Sequence, residues 1–389
     1  MIAVVIIPTY NEKDNIEKLL TVLHDEIFPQ IKNYSMHALV VDDNSPDGTG
    51  EIVKNIMKKW KNVSLVQGEK NGLGAAYVRG MTYAVEKMKA DVMFEFDADF
   101  SHDPYKIPEF LKKIDEGNDF VIGTRYSHGG SIPSNWGLHR KFMSVFGNLL
   151  VRFVMMRFYV HDWTGGYRAV KKEVFLKEKS KLEAIQGYTF QISFLHRAIQ
   201  DGFKVAEVPF NFVDRTKGKS KIPSKETIIA SLTYVFRERA LELVKSPFLK
   251  YAVTGFLGYI INAVSLEYFA DIVKLHPVWA AVIASELAVI WNFIVNNFWA
   301  FSKYKIDSVA RLLLKFIQFN LVSAGSVIIN STIIFIATHT FGNTALVRQV
   351  ALVIAIGFFV IPYSYSMYNI FIWKRWHIPF LSKFQKMAG

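Results

Sequence analysis

The sequence predicts an α/β domain with a mostly parallel sheet, followed by an all-α domain of four transmembrane helices. Three observations carry that prediction. Short apolar runs of strand length alternate with helical patterns through the first half of the chain. Clusters of Asp, Asn and Gly follow several of those runs. Beyond Pro247 the composition shifts to Phe, Ile, Val, Ala and Leu, in stretches long enough to cross a bilayer.

Residues 2–7 form a continuous apolar run, read as a buried strand, which ends in the turn chemistry of Pro8-Thr-Tyr-Asn-Glu12. Asp14 or Asn15 is expected to cap a helix over 16–28. A strand over 38–41 breaks into Asp42-Asp-Asn-Ser-Pro-Asp-Gly-Thr49, and a helix runs from there to about Trp60. A third strand covers 63–66. Asn71-Gly-Leu-Gly74 then opens a helix to about Lys89; it lacks the full glycine spacing of a dinucleotide-binding turn. The strand at 91–96 runs into Asp97-Ala-Asp99, and a helix over 104–116 and a strand over 120–122 follow.

Strands alternating with helices imply right-handed crossovers, and ligands bind such sheets outside the carboxyl ends of the strands. The polar clusters at 8–12, 42–47 and 97–99 therefore converge on one crevice. Two carboxylates separated by one small residue suit a hard divalent cation that shares oxygen ligands with a diphosphate. Alone, an Asp-x-Asp reads more readily as a solvated turn; the convergence is the stronger argument.

The 389 residues carry a net charge of +12 and no cysteine, which excludes disulfides and thiolate metal sites. A basic excess fits nucleic acid, anionic lipid or phosphorylated substrates. With a membrane half present, lipid and phosphate are the expected partners and nucleic acid is not. The amino terminus has no basic n-region, and its apolar run is short for a signal peptide, so the first domain is expected in the cytoplasm.

Pro8-Thr-Tyr-Asn-Glu12, the 41–49 stretch, Asp97-Ala-Asp99 and Gly123-Thr-Arg-Tyr126 resemble the inverting, family-2-type GT-A glycosyltransferases. Asp162-Trp-Thr-Gly-Gly-Tyr-Arg168, Gly187-Tyr-Thr-Phe-Gln191, Glu207-Val-Pro-Phe210 and Arg215-Thr-Lys-Gly-Lys-Ser-Lys221 resemble, within them, the dolichyl-phosphate mannose synthases and their polyprenyl-phosphate relatives. The resemblance covers about residues 1–230. It implies transfer of a sugar from a nucleotide diphosphate to a lipid phosphate. Pro8, Tyr10, Glu12, Val41 and Asp43 would line the base and ribose pocket. Asp97, Ala98 and Asp99 would hold the nucleotide, with Asp97 and Asp99 on Mg2+ or Mn2+. Arg125, Arg215 and Lys221 would bind donor and acceptor phosphates. Asp99, Arg125, Arg215 and Lys221 are the expected catalytic set. A lipid phosphate is already anionic, so no strong base is required. The family pattern often reads Asp-x-Asp-x-Gln-His; Ser101 stands here in place of the glutamine, and His102 reads as structural.

Residues 142–159 are apolar but interrupted by Arg152 and Arg157, and residues 225–244 place Ile228, Ile229, Leu232, Val235, Phe236 and Leu243 on one face. Both read as helices on the membrane surface, with ordinary core helices as the alternative. Spans are expected near 248–270, 278–301, 312–337 and 346–373. Lys303, Lys305, Arg311 and Lys315, and Lys374, Arg375, Lys383 and Lys386 in the tail, put both termini and the enzyme domain in the cytoplasm of a multi-pass membrane protein. Trp279, Trp299, Trp373 and Trp376 read as interfacial anchors. Asn297-Phe-Trp-Ala-Phe301 echoes Asn369-Ile-Phe-Ile-Trp373, a weak internal repeat, and this half resembles the four-span GtrA-like domains. Glu286 is expected to pair with Asn262 or Asn330.

The domains are thus 1–223, a transferase domain; 224–247, an interfacial helix; and 248–389, the membrane domain. The leading function is mannose transfer from GDP-mannose to dolichyl or polyprenyl phosphate with inversion. A UDP-glucose-dependent enzyme of the same class and a lipid-sugar flippase are the alternatives. A processive polysaccharide synthase is disfavoured, because Lys374-Arg-Trp376 follows Ile372 where a Gln-x-x-Arg-Trp signature needs glutamine.

Overall fold

The computed structural model describes residues 1–183, 185, 188–214, 225–342 and 344–376. The chain divides into two compact units, Met1–Arg239 and Ala240–Gly389.

The first unit begins with β1 (Ile2–Thr9), α1 (Lys13–Thr21), β2 (Ser35–Asp42), α2 (Thr49–Lys59), β3 (Val63–Gln67), α3 (Leu73–Glu86) and β4 (Val92–Glu95). It continues through α4 (Ile107–Asp115), β5 (Phe120–Thr124), α5 (Leu138–Met155), β6 (Arg168–Lys171), α6 (Lys172–Leu182), α7 (Tyr188–Gln200) and β7 (Val205–Pro209), and α8 (Lys225–Lys245) follows. The seven strands form one sheet in the order β3-β2-β1-β4-β6-β5-β7. β6 runs antiparallel to both neighbours, and every other pairing is parallel.

Both faces of the sheet are covered, which is why β1 reads as an unbroken apolar run. Its side chains alternate between two cores. Ala3, Val5 and Ile7 pack with Leu19 and Leu20 of α1, Val53 of α2 and Phe110 of α4. Val4 and Ile6 pack with Tyr77 and Met81 of α3, Phe175 of α6 and Phe194 of α7. Val235 of α8 joins this second core, so the predicted apolar face of that helix is split. Val235 is buried while Ile229, Phe236 and Leu243 remain exposed. α3 lies close on the sheet at Gly80, where a Cβ would stand 2.6 Å from Ile6 Cγ2 and 2.8 Å from Val41 Cγ2.

Three details depart from the sequence reading. α1 starts at Lys13, and neither Asp14 nor Asn15 caps it; the Glu12 carbonyl accepts from the Asn15 and Ile16 amides, and Asn15 Nδ2 donates to Glu12 Oε2 at 2.9 Å. β6 and β7 extend the sheet beyond the five expected strands. β6 has only four residues and carries Arg168 and Lys171, so no apolar run marks it.

In the second unit, α9 (Pro247–Glu267), α10 (Pro277–Val295), α11 (Val309–Phe341), α12 (Ala345–Ile354) and α13 (Ile361–Met367) succeed one another. Among the described residues, four helical stretches are long and apolar enough to cross a membrane: Pro247–Ile272, Val282–Ala300, Val309–Phe341 and Ala355–Ile372. The internal repeat has a structural counterpart. The second and fourth stretches both end in a widened i→i+5 turn, Phe301 N to Asn296 O at 2.8 Å and Trp373 N to Tyr368 O at 3.0 Å. Asn297 and Asn369 are both fully buried, and the Phe301 and Trp373 rings stack 4.2 Å apart. Trp373 is therefore not an interfacial anchor: it is buried, and its Nε1 donates to Asn297 Oδ1 at 3.1 Å. Glu286 is exposed, and Asn262 donates to Ser285 Oγ rather than to it.

Candidate active site

β1 lies between β2 and β4, so the segments leaving their carboxyl ends sit side by side. This is where crossovers depart to opposite sides, the position at which such sheets bind ligands. Each of the three loops contains one non-glycine residue with positive φ: Asn11 at 63°, Asn44 at 51° and Phe100 at 62°. Asparagine adopts this conformation readily; a bulky phenylalanine does so under strain. At Phe100 the turn brings the Ser101 amide onto Asp99 Oδ1 at 3.0 Å.

The first two loops are tied together through their own side chains. Asp42, fully buried, accepts from Thr9 Oγ1 at 3.0 Å, from the Ser45 amide at 3.0 Å and from Ser45 Oγ. Ser45 Oγ in turn receives the Asn11 amide, and Thr49 Oγ1 receives the Glu12 amide, each at 3.0 Å. Asp47 accepts the Thr49 amide and hydroxyl just before α2; burial would raise its carboxyl, but these hydrogen bonds hold it below the usual range. The Asp43 carboxylate is ion-paired with Arg79 of α3. Lys70 Nζ stands 3.3 Å from the centre of the Tyr10 ring. Pro8, Tyr10, Glu12, Val41 and Asp43 are thus brought to one end of β1 and β2.

At the third loop the Asp97 side chain is 38% exposed, whereas Asp99 is buried. Tyr77 Oη donates to Asp97 Oδ1 at 3.3 Å. His102 is buried, stacks on Tyr167 at 4.9 Å, and accepts the Asp97 amide on Nδ1 at 3.0 Å. Burial lowers its pKa, so the ring is neutral with its proton on Nε2. His102 holds the loop, as expected of a structural residue. Asp97 and Asp99 offer two hard oxygen donors on one turn. Among the described residues no group of three or more His, Cys, Asp or Glu has metal-holding geometry. A two-carboxylate donor set fits a cation of the Mg2+ type, which keeps water and takes phosphate oxygens for its remaining positions.

Arg125, just past β5, donates Nε to Asp162 Oδ2 at 2.7 Å and Nη2 to Asp162 Oδ1 at 2.8 Å, and Nη2 also reaches Thr164 Oγ1 at 3.1 Å. Asp162 is fully buried; burial alone would raise its pKa, but the Arg125 charge and hydrogen bonds outweigh that and keep it ionised. Behind Asp97, Glu95 and Arg168 are both fully buried, with Arg168 Nε 3.9 Å from Glu95 Oε2. Arg168 gives its N–H groups to the carbonyls of Gly165, Gln191 and Trp163. Burial pushes the Glu95 carboxyl up to about 7, against the pull of Arg168. Arg215 and Lys221 lie outside the described residues, as do Gly187, Lys383 and Lys386.

Sequence reasoning did not single out Asp42, Tyr77, Arg79, Glu95 or Asp162. Asp42 and Asp162 stood inside the quoted motifs, so their position was available and only their partners were not. Tyr77 and Arg79 lie mid-helix with nothing local to mark them.

Residues 4–177 match the glycosyl transferase family 2 model, and residues 250–373 match the GtrA/DPMS transmembrane domain. The chain is 30% identical over 354 residues to a dolichol-phosphate mannosyltransferase of Pyrococcus furiosus, covering 91% of this chain and 95% of that protein. It is 40% identical over 222 residues to a polyprenol monophosphomannose synthase of Mycolicibacterium smegmatis, covering 56% of this chain and 80% of that one. A solved glucosyl-3-phosphoglycerate synthase of Mycobacterium tuberculosis, in complex with Mn2+, UDP and product, is 18% identical, covers 60% of this chain and 80% of its own, and superposes with a TM-score of 0.43. That likeness is too slight to bear on ligands here. Fold and site define a glycosyltransferase joined to a membrane domain. The chain belongs to the dolichol-phosphate mannosyltransferase family of family-2 glycosyltransferases.

Proposed function

We propose that the protein transfers mannose from GDP-mannose to a polyprenyl phosphate of the dolichyl type, with inversion at the anomeric carbon. The observation that carries this reading is the Asp97-Ala-Asp99 turn at the meeting point of the β1, β2 and β4 loops, in a chain whose relatives are named for this transfer. Pro8, Tyr10, Glu12, Val41 and Asp43 receive the base and ribose, and Ala98 lets the donor approach the third loop. Asp97 and Asp99 would hold Mg2+ or Mn2+, which would offset charge on the departing diphosphate.

An acceptor phosphate oxygen forms a bond to the anomeric carbon as the bond from that carbon to the diphosphate oxygen breaks. The oxygen is already anionic, so no proton has to be removed. Positioning and charge stabilisation supply the rate. Arg125, oriented by Asp162, and the further cations Arg215 and Lys221 would bind the phosphates of donor and acceptor. The exposed apolar stripe of α5, Leu138, Phe142, Phe146, Leu149 and Phe153, supports a helix lying on the membrane beside the acceptor.

We assign residues 1–223 to the transferase domain, 224–247 to an interfacial helix and 248–389 to the membrane domain. The basic segments at 303–315 and 374–376 support a cytoplasmic active site and termini. The test offers GDP-mannose and UDP-glucose separately to the purified full chain with dolichyl phosphate and Mg2+ or Mn2+. Product from GDP-mannose alone supports the proposal; product from UDP-glucose alone overturns the donor.

A further inference from the structure

The helix α5 has two faces of different chemistry. Phe142, Phe146, Leu149 and Phe153 lie along one side and are exposed, and the Phe142 and Phe146 rings stack 5.2 Å apart. The opposite side buries Asn148, Val151 and Met155, at the three- and four-residue spacing of a helix face. Val151 and Met155 belong to the second core of the sheet. Asn148, on the same face and 2% exposed, is an amide where a core helix would carry an apolar residue. Burying an amide costs free energy unless its N–H and C=O groups find partners.

The partners of Asn148 lead to the site. Its Oδ1 accepts the Trp163 amide at 2.8 Å, and its Nδ2 donates to Thr164 Oγ1 at 3.1 Å and to the Ser144 carbonyl at 3.2 Å. The same Thr164 hydroxyl accepts Arg125 Nη2 at 3.1 Å. A hydroxyl oxygen has two lone pairs, so it can serve both donors at once. Asp162, one residue before Trp163, accepts from Arg125 Nε and Nη2. Asn148 therefore clamps residues 162–164, the segment that orients Arg125, onto the inner face of a helix whose outer face is apolar.

We propose that Asn148 is a positioning residue for the transfer. Through the Thr164 hydroxyl and the Trp163 amide it registers Arg125 to α5, so that the guanidinium meets the phosphate of a lipid acceptor at a fixed depth from the apolar face of the helix. This rests on the reading of Arg125 as a phosphate-binding residue, and it adds a residue that acts only through others.

The experiment measures kcat and the KM of each substrate for the full chain in bilayer discs, with GDP-mannose as donor and dolichyl phosphate as acceptor. Thr164→Val and Asn148→Ala are each expected to raise the acceptor KM about tenfold, the loss of one charge-assisted contact, with the donor KM within about twofold of wild type. Thr164→Ser, which keeps the hydroxyl, is expected to retain wild-type values. The two changes combined are expected to be no worse than Asn148→Ala, because both cut one relay. Asn148→Asp keeps an acceptor for the Trp163 amide but loses the N–H toward Thr164, and carries the test should Asn148→Ala not fold. An unchanged acceptor KM in Arg125→Met combined with Asp162→Asn would sink the phosphate reading on which the proposal rests. A raised KM there with wild-type values in Thr164→Val and the Asn148 variants would overturn the positioning role alone. So would equal changes in donor and acceptor KM, or losses that multiply in the combined variant, since either marks a general effect on the fold.

Discussion

Arg125 holds Asp162 in a two-pronged pair, at 2.7 and 2.8 Å, and Asp162 is fully buried. The carboxylate fixes the orientation of the arginine. Its guanidinium plane is set by the carboxylate, by the Asp162–Arg125 amide contact at 3.2 Å and by Thr164. Removing Arg125 leaves the fully buried Asp162 carboxylate without that counter-charge.

Arg125→Ala is therefore expected to cost about 3 kcal/mol of stability or more, the usual range for breaking one side of a buried pair. Arg125→Met combined with Asp162→Asn, which keeps an acceptor for the Arg125, Thr164 and Gly165 amides, is expected to recover most of it while leaving transfer impaired. Urea unfolding of the three proteins, followed by the fluorescence of the first unit, measures this. A double variant as unstable as Arg125→Ala would contradict the pairing argument.

Glu95 sets a pH dependence whose sign follows from its burial. Its carboxyl rises in the fold from an ordinary 4.5 to about 7. The folded state thus binds the proton more tightly than the unfolded chain. Stability from this group is fully present below about pH 4.5 and is lost as pH rises through about 7. Glu95→Gln, neutral at every pH, should flatten that fall. Thermal melts of both proteins across this window decide it; parallel curves would show that Glu95 stays ionised in the fold.

The stripe on α5 predicts a membrane effect without a folding effect. Phe142, Phe146 and Phe153 are exposed, Phe153 by 71%, while Asn148, Val151 and Met155 of the same helix face inward. Changing the three phenylalanines to serine removes apolar surface that the fold does not bury. The KM for the lipid acceptor is expected to rise about tenfold or more, with the melting temperature nearly unchanged. An unchanged KM would place this helix away from the bilayer.

Gly80 predicts a purely structural loss. A Cβ there would meet Ile6 and Val41 within 2.8 Å, and both are core residues of the two strands that lead to the site. Gly80→Ala is expected to cost about 1–3 kcal/mol by overpacking, measured as a shift of the unfolding midpoint. No shift would mean that α3 can lift off the sheet without penalty.

Much of this architecture was legible because its signals are local. β1, β2 and β4 are buried on both faces and read as continuous apolar runs, and the turn residues after each mark where the strand ends. The four spans were legible for the same reason: bilayer length is written directly in composition. β6 was not, because Arg168 lies within it; a buried arginine satisfied by three carbonyls looks, in sequence, like a surface residue. Partner identity was also invisible. Asp43 with Arg79, and Arg125 with Asp162, are 36 and 37 residues apart, and no spacing rule connects them. Trp373 misled for a related reason. Tryptophan at a span end usually sits at the interface, but here Asn297 and Phe301, more than seventy residues away in the chain, provide a buried partner for its N–H and a face for its ring.

The most direct measurement is mannose transfer from GDP-mannose to dolichyl phosphate by the purified full chain, run beside Asp99→Ala under the same Mg2+ or Mn2+ concentration. Turnover is expected in the wild type and a loss of at least about a hundredfold in the variant, the scale of removing one group that stabilises developing charge, with the helical content of the membrane unit unchanged. Full turnover in Asp99→Ala would contradict the assignment of the crevice beyond β4 as the site of transfer.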